Sequence, residues 1–403
     1  RVLLMDTGFK SVFHASADLV LGSGADLEYE NAKGKMVGER LEAGTQLTVG
    51  PDSPYLEYGR MIITPDEPEA ITIRSIERSQ GTPVYSGSLE IKGTPEGLVL
   101  VNDLFLEDYL TKVVPSEMPP SYEKEALKAQ AVCARTYAYR QIQGNTYSQY
   151  GAHVDDSTNF QVYNNTQADE KTTQAVKETY GRMLFYEDKP IDAFYFSTSC
   201  GRTADAGVWG TDPQKYPYLQ PVEVKPGRQS LDLGDNDDFD SFIRSRDVTA
   251  YDSSYAMFRW ETDISSDMVS AQINGAGTVT DMTVTGRGAG GIASELSVSG
   301  SDGTVTVKGQ GAIRSALGNP ALVIKKQDGK TMEGSATLPS AFISIEKRTG
   351  EDGKPSFHIY GGGFGHGVGM SQNGAQGMAK EGKDYESILK FFYSGTELRE
   401  IGG

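Results

Sequence analysis

Cysteine and histidine are scarce in this sequence. Two cysteines, Cys133 and Cys200, and four histidines are spread over 403 residues. A fold held by several disulfides is therefore excluded, and at most one intramolecular bridge can form. A buried thiol is the commoner fate of an isolated cysteine, so we expect no bridge. The spacing of cysteine and histidine does not match a zinc cage, and we expect neither a metal nor a cofactor.

Long apolar runs and an excess of positive charge are also lacking. No apolar stretch reaches the roughly 18 residues of a membrane span. The net charge of −17 argues against nucleic acid as a partner, because phosphate recognition needs a basic surface. The chain starts at Arg1 without an initiator methionine, which is compatible with the removal of an upstream signal or membrane anchor.

Glycine is abundant, with 47 residues, and this favours turns and strands over a helical bundle. The length suggests two or three domains or subdomains. We predict an α+β fold, with a mixed core of helices and antiparallel strands around a buried alanine-rich helix. The expected parts are a β-rich N-terminal region (1–96), the first part of the core (97–220), a β-rich inserted lobe (221–345), and a glycine-rich loop with C-terminal helices that completes the core (346–403).

The alanine-rich helix is predicted from the stretch 113–139, VVPSEMPPSYEKEALKAQAVCARTYAY. Pro119 and Pro120 fit its start, and Ser121 is a plausible N-cap. Its many alanines are strong helix formers whose short side chains let another backbone approach closely. Lys128 and Arg135 lie seven residues apart and so share one face. Two cations on so apolar a helix need partners.

Glu117 is the best candidate for proton transfer. We expect it where a β segment meets the buried helix, among Val113, Val114 and Met118. Desolvation there favours a protonated carboxyl group. The alternative is a glutamate at the start of a helix, stabilised by the helix dipole. The preceding stretch 97–106, GLVLVNDLFL, is predicted as a hairpin with its turn at Asn102-Asp103.

Other residues leave alternatives open. A second carboxylate, as ordinary glycosidases need, could come from Asp155, Asp156 or Asp205, although a solvated loop is the preferred interpretation for 144–160. Trp209 either stacks on a sugar ring or packs in a core. The acidic run 231–240 is predicted to be a solvated loop.

A second unusual stretch, GGGFGHGVGMSQNGAQGMA, covers residues 361–379. Its glycines free the backbone to approach a ligand or another chain segment. It is not a nucleotide loop, because no βαβ unit and no GK[ST] accompany it. His366 could serve as the base for Ser197, Ser199 or Cys200, but no GxSxG elbow is present. Helices are predicted from 371 to 380 and from 385 to 393.

Three long motifs resemble the stage II sporulation protein D family, which also includes amidase enhancers. They are LEDYLTKVVPSEMP with EALKAQAVCARTYA, YFSTSCGRT with VWG, and GHGVGMSQNGAQGMA with GKDYESILKFFYSGTEL. The resemblance covers residues 97–220 and 355–400. It implies a lytic transglycosylase that cuts the MurNAc-GlcNAc strands of peptidoglycan outside the cytoplasmic membrane, with a preference in sporulating members for strands stripped of stem peptides by a partner amidase.

The resemblance also implies catalytic and substrate-binding roles for particular residues. The family's catalytic glutamate corresponds to Glu117. The expected substrate-binding residues are two basic positions, two hydroxyl residues of the STS segment and two residues of the GHG and SQ segment: Lys128, Arg135, Thr198, Ser199, His366 and Gln372. The sequence departs from the family at Cys200, where glycine is common. Some members bind zinc near this segment, but Tyr195-Phe196 occupy the place of a histidine ligand, so no structural zinc is expected.

One carboxylate suffices for this reaction. The C6 hydroxyl of the muramic residue attacks its own anomeric carbon, so the substrate supplies the nucleophile and one glutamate serves as acid and then base. Lys128 or Arg135 could pair with Glu117 or with the lactyl carboxylate of the sugar. The competing function is an amidase enhancer that binds peptidoglycan or activates a partner amidase without cutting glycan.

Overall fold

A computed structural model describes residues 1–165, 168–227, 233–350 and 353–401. It confirms the mixed α+β class. The strands in chain order are β1 (Val2–Leu4), β2 (Ala17–Leu21), β3 (Ala25–Glu30), β4 (Met36–Leu41), β5 (Gln46–Val49), β6 (Arg60–Pro65), β7 (Ile71–Ile73), β8 (Val84–Tyr85), β9 (Ser88–Thr94), β10 (Gly97–Asp103), β11 (Val154–Asp155), β12 (Arg182–Tyr186), β13 (Lys189–Pro190), β14 (Tyr195–Phe196), β15 (Trp260–Ser265), β16 (Val279–Arg287), β17 (Ala293–Gly300), β18 (Gly303–Lys308), β19 (Val323–Lys326), β20 (Thr331–Glu333), β21 (Ile343–Thr349), β22 (Pro355–Gly361), β23 (Met370–Ser371) and β24 (Glu397–Glu400).

The α-helices are fewer than the strands and are spread along the described part of the chain from Leu106 onwards. They are α1 (Leu106–Glu117), α2 (Lys124–Ile142), α3 (Glu170–Glu178), α4 (Asn236–Arg244), α5 (Ser266–Gln272), α6 (Gln310–Leu317), α7 (Gln372–Lys380) and α8 (Tyr385–Phe392). Within the described ranges, no helix combines the length and apolar character that a bilayer-spanning segment needs.

The chain divides into two compact units. The first contains Arg1–Asp192 and the C-terminal residues from Leu398, and the second contains Ala193–Glu397. The domain boundary predicted at residue 97 lies inside the first unit, and those at 221 and 346 lie inside the second. Residues 228–232 of the predicted inserted lobe are outside the described ranges.

The first unit is built on a seven-stranded sheet with the order β11-β1-β10-β9-β6-β3-β4. Its pairs are antiparallel except for the parallel pair of β1 and β11. A four-stranded sheet, β5-β2-β7-β8, and a three-stranded sheet, β13-β12-β24, complete the strands of this unit. Helices α1, α2 and α3 pack against one another, and α2 is buried along most of its length, as its alanine content predicts.

The hairpin predicted within residues 97–106 is wrong. The whole stretch Gly97–Asp103 is one strand, which pairs along its length with Ser88–Thr94, and the turn lies between Thr94 and Gly97. Gly97 has a φ of 138°, and a Cβ there would lie 2.7 Å from the carbonyl oxygen of His14. This position therefore needs glycine. Asn102 and Asp103, which the prediction placed in the turn, instead lie at the end of the strand and pair with Leu89 and Ser88.

The helix boundaries around Glu117 also differ from the prediction. Glu117 is the last residue of helix α1 rather than the end of a β segment. Helix α2 starts at Lys124, with Glu123 at its N-cap position, so Ser121 is not the N-cap. The β-branched pair Val113-Val114 suggested a strand, but together with Tyr109 and Leu110 it forms the buried face of a helix.

The second unit contains a five-stranded sheet, β20-β19-β15-β22-β21, a three-stranded meander, β16-β17-β18, and the parallel pair β14 and β23. A core of aliphatic and aromatic side chains, among them Trp260 and Phe357, packs between these elements. The prediction of a solvated loop for the acidic run is wrong from Asn236 onwards, because α4 begins there and Asp235 caps it by accepting hydrogen bonds from two backbone N–H groups. Residues 231 and 232 of that run are outside the described ranges.

Candidate functional site

Glu117 stands on the last turn of α1, where the chain leaves the helix. Pro115 lies within the helix, and the N–H of Met118 closes the last turn on the carbonyl oxygen of Val114. Pro119 and Pro120 cannot continue the helix, because proline has no N–H and disfavours a helical residue before it. The local sequence therefore fixes Glu117 at a helix end.

This position is electrostatically unfavourable for a carboxylate. The C-terminal end of a helix carries partial negative charge, which disfavours an anion there by about 0.3–1 kcal/mol. The helix-dipole explanation considered for Glu117 is therefore wrong, since it required a helix start. The stability of α1 does not account for a glutamate at this place.

The side chain of Glu117 is held from outside the helix. Its Oε1 accepts a hydrogen bond of 2.7 Å from the backbone N–H of Val162, and the residue is partly buried. Its negative charge also adds to the desolvation that raises the pKa of Tyr109 and of Tyr137. Glu117 thus lies in a polar-aromatic setting formed by α1, α2 and the segment around Val162.

Three aspartates were candidates for a second carboxylate, and each has a structural role. Asp156 is buried and forms an ion pair with the buried Arg78; desolvation raises the pKa of Asp156 to about 6. Asp155 accepts a 2.8 Å hydrogen bond from Tyr147 and another from a backbone N–H. Asp205 caps the short turn that follows it. These structural contacts account for the presence of all three aspartates, so a catalytic role is not needed to explain them.

Arg135 is almost completely buried, with 1% of its surface exposed. Both oxygens of Glu107 accept from it, at 2.6 and 2.8 Å. Its other N–H groups donate to the carbonyl oxygens of Val176 and Arg182 and to the hydroxyl of Thr179. All five guanidinium N–H groups therefore have acceptors. This geometry favours a structural role that ties α2 to α1 and α3.

Lys128 forms ion pairs with two glutamates. Its Nζ is 3.0 Å from Glu125 and 3.9 Å from Glu178, and 15% of the side chain is exposed. It is therefore more accessible than Arg135.

In the second unit, Thr198 and Ser199 are buried. The N–H and Oγ of Ser199 both donate to the carboxylate of Asp252, at 2.8 and 3.0 Å, and Ser371 donates to the same carboxylate at 2.8 Å. Thr198 accepts a 2.8 Å hydrogen bond from the side chain of Asn373. The STS segment and the start of α7, whose first residue is the buried Gln372, are thus joined through internal hydrogen bonds.

His366 lies in a cluster of aromatic rings. The centroid of its ring is 5.3 Å from that of Trp209, 5.7 Å from Phe196 and 6.2 Å from Phe194, and the rings of Phe194 and Trp209 are 4.7 Å apart. We call these four residues the aromatic cluster. Trp209 keeps 42% of its surface exposed, so the cluster presents a flat apolar face to solvent.

The imidazole of His366 is neutral at physiological pH. Its pKa is lowered to about 4, chiefly by burial; a hydrogen bond to the backbone of Tyr195 opposes this shift, and the positive charge of Arg314 adds to it. Its Nδ1 accepts a 3.1 Å hydrogen bond from the backbone N–H of Val368, so the ring proton is on Nε2.

The glycines around His366 serve close packing of the backbone. Four of them have positive φ: Gly363, Gly365, Gly367 and Gly369. At Gly369 a Cβ would lie 2.0 Å from the carbonyl oxygen of Phe194. Of the two uses considered for this stretch, approach to another chain segment is the one that the structure shows.

A cysteine nucleophile is disfavoured. Cys133 and Cys200 are buried and neither is in a disulfide, which confirms the preference for buried thiols. Burial raises the pKa of the Cys200 thiol to about 11, and a thiolate is the reactive form.

A serine nucleophile is disfavoured as well. In the described part of the chain, the His366 ring makes no hydrogen bond to Ser197 or Ser199. Ser199 instead donates to the buried carboxylate of Asp252. The same ranges contain no group of three or more His, Cys, Asp or Glu side chains placed to hold a metal ion.

The sequence-predicted site residues thus fall into two groups. Glu117, Lys128 and Arg135 belong to the first unit, while the STS residues, His366 and Gln372 belong to the second. Sequence analysis missed Asp252 altogether, because no motif marks it and its partners are at least 53 positions away in the chain. It also missed the contacts of Trp209, although the VWG motif had pointed to that residue.

Two family models match the chain. Residues 94–186 match SpoIID, described as stage II sporulation protein, and residues 205–369 match a domain of unknown function, DUF8618. Glu117 lies in the first match, and Trp209 and His366 lie in the second.

Curated relatives match over most of the chain. Stage II sporulation protein D of Bacillus subtilis is 32% identical over 341 residues, which cover 79% of this chain and 83% of that protein. The amidase enhancer of the same organism is 32% identical over 308 residues, covering 72% of this chain and 40% of that protein. An uncharacterized protein of Brachyspira hyodysenteriae is 31% identical over 324 residues, covering 78% of this chain and 72% of the relative.

Proposed function

The chain belongs to the stage II sporulation protein D family, and from this premise we propose that it is a peptidoglycan lytic transglycosylase. The position of Glu117 is the observation that carries the proposal. It is a partly buried carboxylate at a helix C-terminus, where the helix dipole disfavours it, and a backbone N–H from a distant segment holds it in place. A carboxylate held at a position that its own helix disfavours is a candidate for a functional role.

In the proposed reaction, protonated Glu117 donates its proton to the oxygen that links C1 of MurNAc to O4 of GlcNAc. The C1–O4 bond breaks, and GlcNAc leaves with a 4-hydroxyl group. The C6 hydroxyl of the same MurNAc then attacks C1, and the Glu117 carboxylate takes its proton. The acid is restored, no water is consumed, and the product carries a 1,6-anhydro-MurNAc end. The structural roles of Asp155, Asp156 and Asp205 support a mechanism with one carboxylate.

We further propose that the aromatic cluster binds the glycan. Pyranose rings present C–H groups that pack on flat aromatic faces, and the half-exposed indole of Trp209 offers such a face. The neutral imidazole of His366 avoids the cost of placing a charge under an apolar sugar face. Lys128, whose side chain is partly exposed, remains a proposed contact for the anionic groups of the strand.

The family also supports an extracytoplasmic location, at the cell wall, with glycan strands as the substrate and an amidase as a partner. The preference for strands stripped of stem peptides and a role in sporulation or wall remodelling belong to the same proposal. No cofactor is required by the reaction, since the substrate carries its own nucleophile.

The test is the chemistry of the new chain ends. Purified protein is incubated in H₂¹⁸O with intact peptidoglycan and with amidase-treated, denuded strands, and the products are analysed by mass spectrometry. We expect anhydro ends without ¹⁸O. Incorporation of ¹⁸O at the new reducing ends would instead establish hydrolysis and contradict the proposal.

A second candidate is supported by one observation, the 32% identity to a protein named amidase enhancer. In that case the chain binds peptidoglycan or a partner amidase and does not cut glycan. Release of stem peptides by an added N-acetylmuramoyl-L-alanine amidase separates the two. Stimulated release with no new glycan ends on either substrate would favour the enhancer.

A further inference from the structure

Arg314 is a partly buried cation of the second unit, and most of its donor groups are not used by the fold. It lies in the last turn of α6, and burial lowers the pKa of its guanidinium. Its Nε donates a 2.8 Å hydrogen bond to the carbonyl oxygen of Leu338. Within the described ranges, its Nη1 and Nη2 make no hydrogen bond and the residue forms no ion pair. Four of the five N–H groups are therefore available to a ligand.

Comparison with Arg259 shows that this is unusual. Arg259 also has no carboxylate partner among the described residues, but four of its N–H groups donate to carbonyl oxygens, including those of Ser245, Cys200 and Phe242. A cation withdrawn from water is costly unless such groups compensate it. The buried Arg259 is compensated by the fold, whereas the partly exposed Arg314 has one protein acceptor, at Nε, and keeps its remaining N–H groups for solvent or a ligand.

Arg314 belongs to the same part of the unit as the aromatic cluster. Helix α6 packs against the short turn Ala206–Trp209, which carries the exposed indole. The charge of Arg314 also acts on the imidazole of His366. A guanidinium with free donors thus accompanies a flat apolar surface, which is the combination that recognises a sugar ring bearing an anionic substituent.

We propose that Arg314 binds the lactyl carboxylate of a muramic residue whose ring lies on the aromatic cluster, and that it thereby selects strands without stem peptides. This inference rests on the proposed glycan substrate. A stem peptide is joined to the lactyl group through an amide, which removes the negative charge. A planar guanidinium fork matches a carboxylate with two parallel hydrogen bonds and gains much less from a neutral amide.

This assigns a role within the domain of unknown function, residues 205–369. It differs from the family-derived expectation for Arg135, whose donors are all used internally. It also leaves proton transfer at Glu117 unchanged, because Arg314 selects the substrate and takes no part in bond breaking.

The test uses N-acetylmuramic acid and its methyl ester as probes, which differ by one negative charge. Binding to the full chain is measured by NMR titration for the wild type, Arg314→Gln, Arg314→Lys and a matched control, Arg246→Gln. Arg246 is exposed and forms no ion pair within the described ranges. We expect the wild type and the Arg246→Gln variant to bind the acid about 10- to 100-fold more tightly than the ester.

In the same experiment, Arg314→Gln should bind acid and ester equally, and Arg314→Lys should keep part of the preference, since it keeps the charge but loses the fork. Equal binding of acid and ester by the wild type would overturn the inference, as would an undiminished preference in Arg314→Gln. The wild-type comparison holds even if a variant fails to fold.

A polymer version separates this inference from the proposed reaction. Glu117→Gln protein, which should not cleave, is used to pull down denuded and intact glycan strands. Preferential retention of denuded strands that disappears in the Glu117→Gln, Arg314→Gln double variant supports the inference, even if the wild type shows no transglycosylase activity. Equal retention of both strands contradicts it, even if the wild type cleaves glycan.

Discussion

Arg135 in the first unit is buried and Arg314 in the second is partly exposed, and their hydrogen bonds show two different uses of a cation. Arg135 gives all five N–H groups to acceptors within its own unit, two of them on Glu107. Arg314 gives one, to a carbonyl oxygen. A saturated guanidinium stabilises the fold and has nothing left for a ligand. The partly exposed guanidinium of Arg314 keeps four N–H groups that a ligand can use.

The largest expected effect concerns Arg135. Replacing it by Met keeps much of the apolar stem but leaves Glu107 and two carbonyl oxygens without their donor. Breaking a buried pair in this way typically costs 3–5 kcal/mol, and we expect about 3 kcal/mol because Glu107 keeps 24% of its side chain exposed. The loss is measured as the change in the free energy of unfolding from urea titration.

The control is Arg140→Met on the same helix. Arg140 forms a 3.4 Å pair with Asp192, and its replacement should cost less than about 1 kcal/mol. Similar losses in both variants would refute a special role for Arg135.

A second prediction concerns the pH dependence of the buried Asp252. Desolvation raises its pKa from 3.8 to about 6, so between these values the folded state binds more protons than the unfolded state. The contribution of Asp252 to the free energy of unfolding is fully present below about pH 4. It falls by about 2–3 kcal/mol as the pH rises through about 6. Asn cannot titrate. The unfolding free energy of the wild type should therefore fall by about 2–3 kcal/mol relative to that of Asp252→Asn between pH 4 and pH 7. A difference that stays constant with pH would show that Asp252 does not titrate in this range.

Trp209→Ala should weaken glycan binding with little loss of stability, because the indole is already 42% exposed. Loss of one stacked aromatic face costs about 1–1.5 kcal/mol, or roughly tenfold in Kd. Pull-down of denuded strands at a series of concentrations provides the measurement. Phe105→Ala removes a more exposed ring, at 83%, from the first unit and should leave Kd unchanged. If both variants bound like the wild type, the aromatic cluster would not be a binding surface.

The smallest expected change is in the stability of Arg314→Gln. Since its charge has no carboxylate partner in the described part of the chain, removal should alter the free energy of unfolding by less than about 0.5 kcal/mol or raise it. A urea titration beside Arg135→Met gives the contrast directly. A loss near that of Arg135→Met would place Arg314 among the structural cations.

How far the sequence predicts this fold depends on whether a signal is local. The alanine content located α2 to within a few residues, and the glycine content marked the stretch around His366 as one where the backbone approaches a ligand or another chain segment. The short run Val113-Val114 did not reveal its helix, because two β-branched residues fit a strand and a helix face equally well. The acidic run around Asp235 was predicted as a loop from its composition, which does not reveal the periodicity of an amphipathic helix. The N-cap at Asp235 and helix α4 were therefore missed.

Some residues of the candidate site could be predicted from local motifs, and others could be recognised only from their contacts in the structure. Glu117 could be singled out from its motif, but its place at a helix C-terminus needed the structure. Asp252 and Arg314 could not be found from sequence, because their meaning depends on partners present or absent across long separations in the chain. Arg135 shows the reverse case, a motif residue whose contacts indicate support for the fold.

We propose that Glu117 performs the chemistry and is not needed for binding or folding. The direct measurement compares wild type and Glu117→Gln for glycan release from denuded strands, with Kd for the same strands and the melting curve recorded on each protein. Gln keeps the size of the side chain but has no transferable proton, and general acid–base catalysis contributes about 10²–10⁴-fold. We predict that release falls by at least about 100-fold while Kd and the melting temperature stay close to wild type. Undiminished release by a well-folded Glu117→Gln protein would contradict the account.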